Sequence, residues 1–182
     1  EALILRAWRQ LGSAGGRSDG TPALLVIVPR HPQRFGDVAK LARESGYRVQ
    51  LRSENTVVAG DTDVLVGDSM GEMFAYYVSA DLAFIGGSLV PTGGHNLLEA
   101  SALGKPVVFG PHMFNFQEIS QMTLERGAGV QIQAPSELAA AVSDFLGNAN
   151  RRDSAGEAGR KMVEENRGAL AANMRILGQL LG

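Results

Sequence analysis

Short, almost wholly apolar runs recur along the chain, and between them apolar residues return every three or four positions. The runs are LLVIV (24–28), YRVQLR (47–52), DVLV (63–66), LAFI (82–85), PVVF (106–109) and VQI (130–132). The helical periods fall at 35–45, 71–79, 96–103, 116–125 and 135–147. Continuously apolar strands are buried on both faces, and their alternation with helices predicts an α/β fold: a Rossmann-like, doubly wound parallel sheet with helices on either side. An amphipathic helix carrying Leu3, Leu5, Trp8 and Leu11 precedes this array, and residues 12–20, nearly free of apolar side chains, read as a surface loop. The tail, 151–181, has helical character but is broken by Gly156, Gly159 and Gly168. Its mixed charges, among them Arg167 and Arg175, suit either a solvated helical face or a helix packing back on a partner domain.

Composition narrows this picture. A chain of 182 residues, 45% hydrophobic and 20% charged, is expected to form one domain over 1–182. A net charge of −2 offers no field for nucleic acid, so an anionic ligand has to be held locally. No cysteine is present, which excludes thiolate chemistry and is compatible with a reducing compartment. No apolar run reaches the roughly 20 residues of a spanning helix. The opening at Glu1, inside a helical pattern, reads as a segment of a longer protein.

In an open parallel sheet ligands bind beyond the carboxyl ends of the strands. Attention therefore falls on PRHPQRF (29–35), GDSMGEM (67–73), GGSLVPTGGHNLLEA (86–100) and GPHMFNF (110–116). These loops hold all three histidines, His31, His95 and His112, but neither H-x-H nor H-E-x-x-H spacing, so no metal site is expected. Gly93 and Gly94 would let backbone approach a ligand before a helix starting at His95 and Asn96, whose free amides favour an anion. Glu99, one turn on, would accept from neighbouring ribose hydroxyls; Asn96 and Glu99 would equally form a capping box. Arg30 is suited to phosphate and equally to a structural salt bridge. Met70 would pack on a planar base, and Asp68 and Glu72 would serve as turn and N-cap residues.

Together these four segments, in this order and at this spacing over 24–116, resemble the 3-deoxy-D-manno-octulosonic acid (Kdo) transferases, lipopolysaccharide core glycosyltransferases of Gram-negative bacteria. The resemblance implies the C-terminal half of a GT-B glycosyltransferase, with the N-terminal acceptor domain and this domain's first strand lying upstream. It implies the donor CMP-Kdo, bound through Pro29, Arg30, Met70, Gly71, Glu72, Asn96, Leu97, Leu98 and Glu99. His31, Gly86, Gly87, Ser88, Gly93, Gly94 and His95 form the supporting set. No catalytic residue is expected in this chain, because the family's general base is a carboxylate of the N-terminal domain, and no cofactor is implied. The acceptor is a lipid A precursor at the cytoplasmic face of the inner membrane, reached through the upstream region, and the isolated domain would be inactive. Leu97 stands where proline is common and Met113 where threonine is frequent; neither change removes a polar contact. The rival readings are a GT-B UDP-sugar glycosyltransferase or epimerase domain, and a non-catalytic nucleotide-binding module.

Overall fold

A computed structural model describes residues 1–12 and 19–181, with the side chains of the last helix described as far as residue 166. Most of the expected loop over 12–20 therefore lies outside the described residues, as do the side chains of Arg167 and Arg175. In chain order the elements are α1 (Ala2–Leu11), β1 (Leu25–Ile27), α2 (Phe35–Glu44), β2 (Val49–Leu51), β3 (Val64–Val66), α3 (Met73–Ser79) and β4 (Ala83–Phe84). They continue with α4 (Leu98–Ala102), β5 (Val107–Phe109), α5 (Gln117–Glu125), β6 (Gly129–Gln131), α6 (Leu138–Gly147) and α7 (Ala149–Leu181). Every expected strand is present, the first five in shortened form and the sixth shifted by one residue. Single 3-10 turns lead into α2 and α6, each opened by a proline, Pro32 and Pro135, whose ring fixes a helical φ where no N–H is needed. No described helix is long and apolar enough to cross a membrane.

All pairings are parallel, as the pattern predicts, but the strands form two three-stranded sheets rather than one: β1-β3-β2 and β4-β5-β6. Alternation along β5 shows why the second sheet is covered on both sides. Val107 and Phe109 join Ile85, Leu97, Ala100 and Met113 on one face. Val108 faces the other way, against Ala7 of α1, Leu138 and Phe145 of α6 and Ala155 of α7. In the first sheet Ile27, Val64 and Val66 pack on Val38, Ala39 and Ala42 of α2 and on Leu5 of α1. α1 thus contributes to the cores of both sheets. On the opposite face of the first sheet the 55–62 loop covers Gln50, which is buried, donates to Thr56 and Val57 and accepts from Ala59 and Thr62, leaving its amide satisfied.

Two expectations need correcting. Burial on both faces holds for β3 and β5 but not for β1, where Val26 is 39% exposed, because β1 is an edge strand with no neighbour opposite β3. The tail is not broken by its glycines either: α7 is one helix. Gly156 lies against the backbone of Gly104, where an added Cβ would stand 2.0 Å from the carbonyl oxygen, and Gly159 lies against Ser101. These glycines let α7 approach α4 closely, and Ala155, Met162 and Val163 of α7 are buried. The described part of the tail thus buries one face against this domain and keeps its charged residues, Arg151, Arg160, Lys161 and Glu164 among them, on an exposed face, as the solvated-face reading expects.

Candidate nucleotide-binding site

Parallel strands deliver their carboxyl ends to one rim, and the loops beyond β1 and β4 meet there. Pro29 is buried and anchors the first loop, leaving Arg30 and His31 exposed. The Arg30 guanidinium donates from Nη1 to Nδ1 of His95 across 3.1 Å, which joins the two sheets at the rim. Guanidinium has no acceptor, so Nδ1 accepts and the ring proton is assigned to Nε2. Burial, then the charges of Arg30 and His31, hold the His95 imidazole below its ordinary pKa, and it is neutral near pH 7.

The long loop after β4 is fastened to the loop after β5. Buried Ser88 donates from Oγ to the Ile85 carbonyl and accepts from the Gly110 amide at 2.8 Å, while the His112 amide donates to the Ser88 carbonyl. Gly93 and Gly94 have φ of 93° and 73°. An added Cβ would lie 2.1 Å from Asn115 Nδ2 at the first and 2.3 Å from Met113 Sδ at the second. The pair therefore leaves room for the 112–115 segment on the side a Cβ would occupy. Gly86 leaves room for the His95 ring and Gly87 for the Thr92 hydroxyl.

α4 begins at Leu98, two residues later than expected, and Asn96 Oδ1 accepts from the Leu98 amide at 3.0 Å. Asn96 thus satisfies a helix-start amide that the sequence reading left open to an anion. Glu99 does not close a capping box; it remains exposed in the first turn. Tyr77 of α3 lies close enough that burial and the Glu99 charge both push its hydroxyl pKa up. Leu97 is fully buried in the core, so only its backbone can face a ligand, and Leu98 is half-buried.

The 67–72 loop is held from a direction the sequence reading missed, the turn after β2. Arg52 donates from Nη2 to Glu72 Oε1 at 2.8 Å and from Nη1 to Asn55 Oδ1 at 2.6 Å. Ser53 donates from its amide to Asp68 Oδ1 at 2.8 Å and from its hydroxyl to Oδ2 of the same carboxylate. Ser69 donates to the other oxygen of Glu72. Glu72 stands below the usual carboxylate pKa through the Ser69 hydrogen bond, which with Arg52 outweighs partial burial. Burial pushes Asp68 up, but the Ser53 hydrogen bonds outweigh it and leave that carboxyl low as well. Neither acid caps α3 through its side chain. Met70, 64% exposed, and Gly71 form the loop's outer surface. The signal in the sequence is a polar Arg-Ser-Glu-Asn turn directly after a strand, the same context as the four loops 29–35, 67–73, 86–100 and 110–116.

The rim thus presents a guanidinium backed by a neutral imidazole, an exposed carboxylate and an exposed thioether, on loops buttressed from below. Among the described residues no three His, Asp or Glu side chains gather to hold a metal ion. A parallel α/β sheet with such a rim defines a Rossmann-like domain of the kind that forms the C-terminal half of a GT-B glycosyltransferase. The chain belongs to the glycosyl transferases group 1, whose family model matches residues 3–162.

Two similar proteins carry the same name. The chain is 42% identical over 155 residues, 85% of its length, to the 3-deoxy-D-manno-octulosonic acid transferase of Haemophilus influenzae. It is 36% identical over its whole length to the enzyme of the same name from Bordetella pertussis. The chain spans only 36% and 42% of those two proteins. Among solved structures it resembles the C-terminal CMP-Kdo binding domain of WaaA from Acinetobacter baumannii, with a TM-score of 0.74 and 31% identity, over 77% of this chain and 73% of that one.

Proposed function

We propose that this chain is the donor-binding domain of a Kdo transferase and that its rim binds CMP-Kdo through the cytidylate. The carrying observation is the Arg30–His95 hydrogen bond, which brings the loop after β1 to the loop that leads into Glu99. In this reading Arg30 turns from His95 to the phosphate, Glu99 accepts from the ribose hydroxyls and the Met70–Gly71 surface packs against cytosine. In the full-length protein a lipid A precursor hydroxyl attacks the anomeric carbon of Kdo with inversion. The bond from that carbon to the CMP phosphate oxygen breaks, and the hydroxyl proton passes to a carboxylate of an N-terminal domain. Arg30 offsets charge growing on the departing phosphate. The reaction would take place at the cytoplasmic face of the inner membrane, and this domain supplies no catalytic base.

The domain reading is supported by the two facing sheet edges. Ala83 and Ile85 donate to β5, and Gly67 donates to the Ile27 carbonyl. Alternation in parallel ladders therefore turns the amide and carbonyl of Phe84 away from β5, and those of Val26 away from β3. One further parallel strand, supplied by polypeptide upstream of this domain, would pair both edges and merge the sheets. The test of function is titration of the full-length protein with CMP, UMP and UDP, together with a transfer assay from CMP-Kdo to lipid A precursor. Tighter binding of CMP and Kdo transfer are expected, whereas a clear uridine preference would assign the rim to a UDP-sugar enzyme instead.

A further inference from the structure

The Glu72 carboxylate, which the family resemblance ranks among the nucleotide contacts, has both oxygens turned inward, one to Arg52 and one to Ser69. Its neighbour Asp68 likewise spends both oxygens on Ser53. Two adjacent loop acids are thus stapled to consecutive residues of one turn, Arg52 and Ser53, on the neighbouring strand of the same sheet. That turn is itself closed by Arg52 on Asn55, the one non-glycine residue with positive φ among those described, at 51°. Neither staple lies in the core: Ser53 is exposed, and the side chains of Arg52 and Glu72 are 39% and 33% exposed. A partly exposed pair contributes little to global stability, so its effect is on where the 67–72 loop sits. What that loop presents outward is Met70 and Gly71.

We propose that Arg52 and Ser53 are positioning residues that preset the Met70–Gly71 surface for the base of the nucleotide, and that the Glu72 carboxylate acts as the hub of this clamp. The inference rests on the cytidylate reading of the rim. It separates two ends of the site: the Arg30–His95 end, which the clamp does not touch, and the base end, which it sets.

The test measures affinities of CMP and ribose 5-phosphate for the full-length protein, as wild type, Arg52→Met, Arg52→Lys, Ser53→Ala and Glu72→Gln, with circular dichroism to verify folding. Arg52→Met should weaken CMP about fivefold and leave ribose 5-phosphate within about twofold, because only base-dependent affinity is lost. Arg52→Lys should recover part of the loss, since an ammonium still pairs with Glu72 but cannot also hold Asn55. Ser53→Ala should show the same selective loss to a smaller degree. Arg52→Met in the Glu72→Gln background should add nothing further, as expected for two members of one clamp. Equal weakening of both ligands, or CMP affinity unchanged in Arg52→Met, overturns the clamp while leaving the cytidylate reading intact. A wild type that binds CMP no more tightly than ribose 5-phosphate overturns both, because no base end then exists.

Discussion

Arg30, His95 and Glu99 are where the chemistry of the proposal concentrates. A guanidinium that gives up a neutral imidazole for a phosphate exchanges a neutral acceptor for a charged one, which strengthens its hydrogen bonds. Arg30→Ala should lower kcat/KM of the full-length enzyme about a hundredfold and Glu99→Ala about thirtyfold, read in the Kdo transfer assay. Near-normal turnover in either variant would remove that residue from the site. His95 offers an independent readout. Its folded-state pKa is depressed, so the unfolded chain takes up a proton first as pH falls, and the contribution of a neutral His95, complete above about pH 6.5, declines below it. His95→Gln should flatten that part of the stability profile. A bound phosphate reverses the local electrostatics, so the imidazole midpoint followed by NMR should rise when CMP is added; a stationary midpoint would place the phosphate elsewhere.

At the level of elements, glycine has two opposite roles that the sequence alone does not distinguish. Gly36 in α2 has open space where a Cβ would go, so Gly36→Ala should raise stability by about 0.5–1 kcal/mol through helix propensity. Gly156 in α7 meets the Gly104 carbonyl, so the same change there should cost about 1–3 kcal/mol, because the α4–α7 contact must open. Urea denaturation of the two variants measures both, and equal signs would contradict the close packing of these helices. The helical pattern through 151–181 was legible, but its glycines read as interruptions because their reason lies in a different helix. The capping role of Asn96 was legible too, since its side chain accepts from Leu98, but the helix begins at Leu98 and Glu99 does not complete the box.

For the molecule as a whole, the open question in the architecture is the join between the two sheets. If a strand from upstream polypeptide occupies it, the amides of Val26 and Phe84 should exchange with solvent quickly in this isolated segment and slowly in the full-length protein, read by hydrogen exchange. Slow exchange in the isolated segment would mean that the edges are protected in some other way. Fold class, strand order along the chain and the four loops beyond the strand ends were all readable beforehand, because burial imposes a period on each element and turns demand particular residues, and both are local requirements. Which loops meet was not readable. Arg30 finds His95 across 65 positions and Arg52 finds Glu72 across 20, and only the packing of strands side by side decides such pairings. The sequence by itself thus determined the elements and the chemistry carried at their ends. The tertiary structure decided which of those groups engage one another, as Glu72 does Arg52 and Ser69, since that depends on distances no single stretch of chain contains.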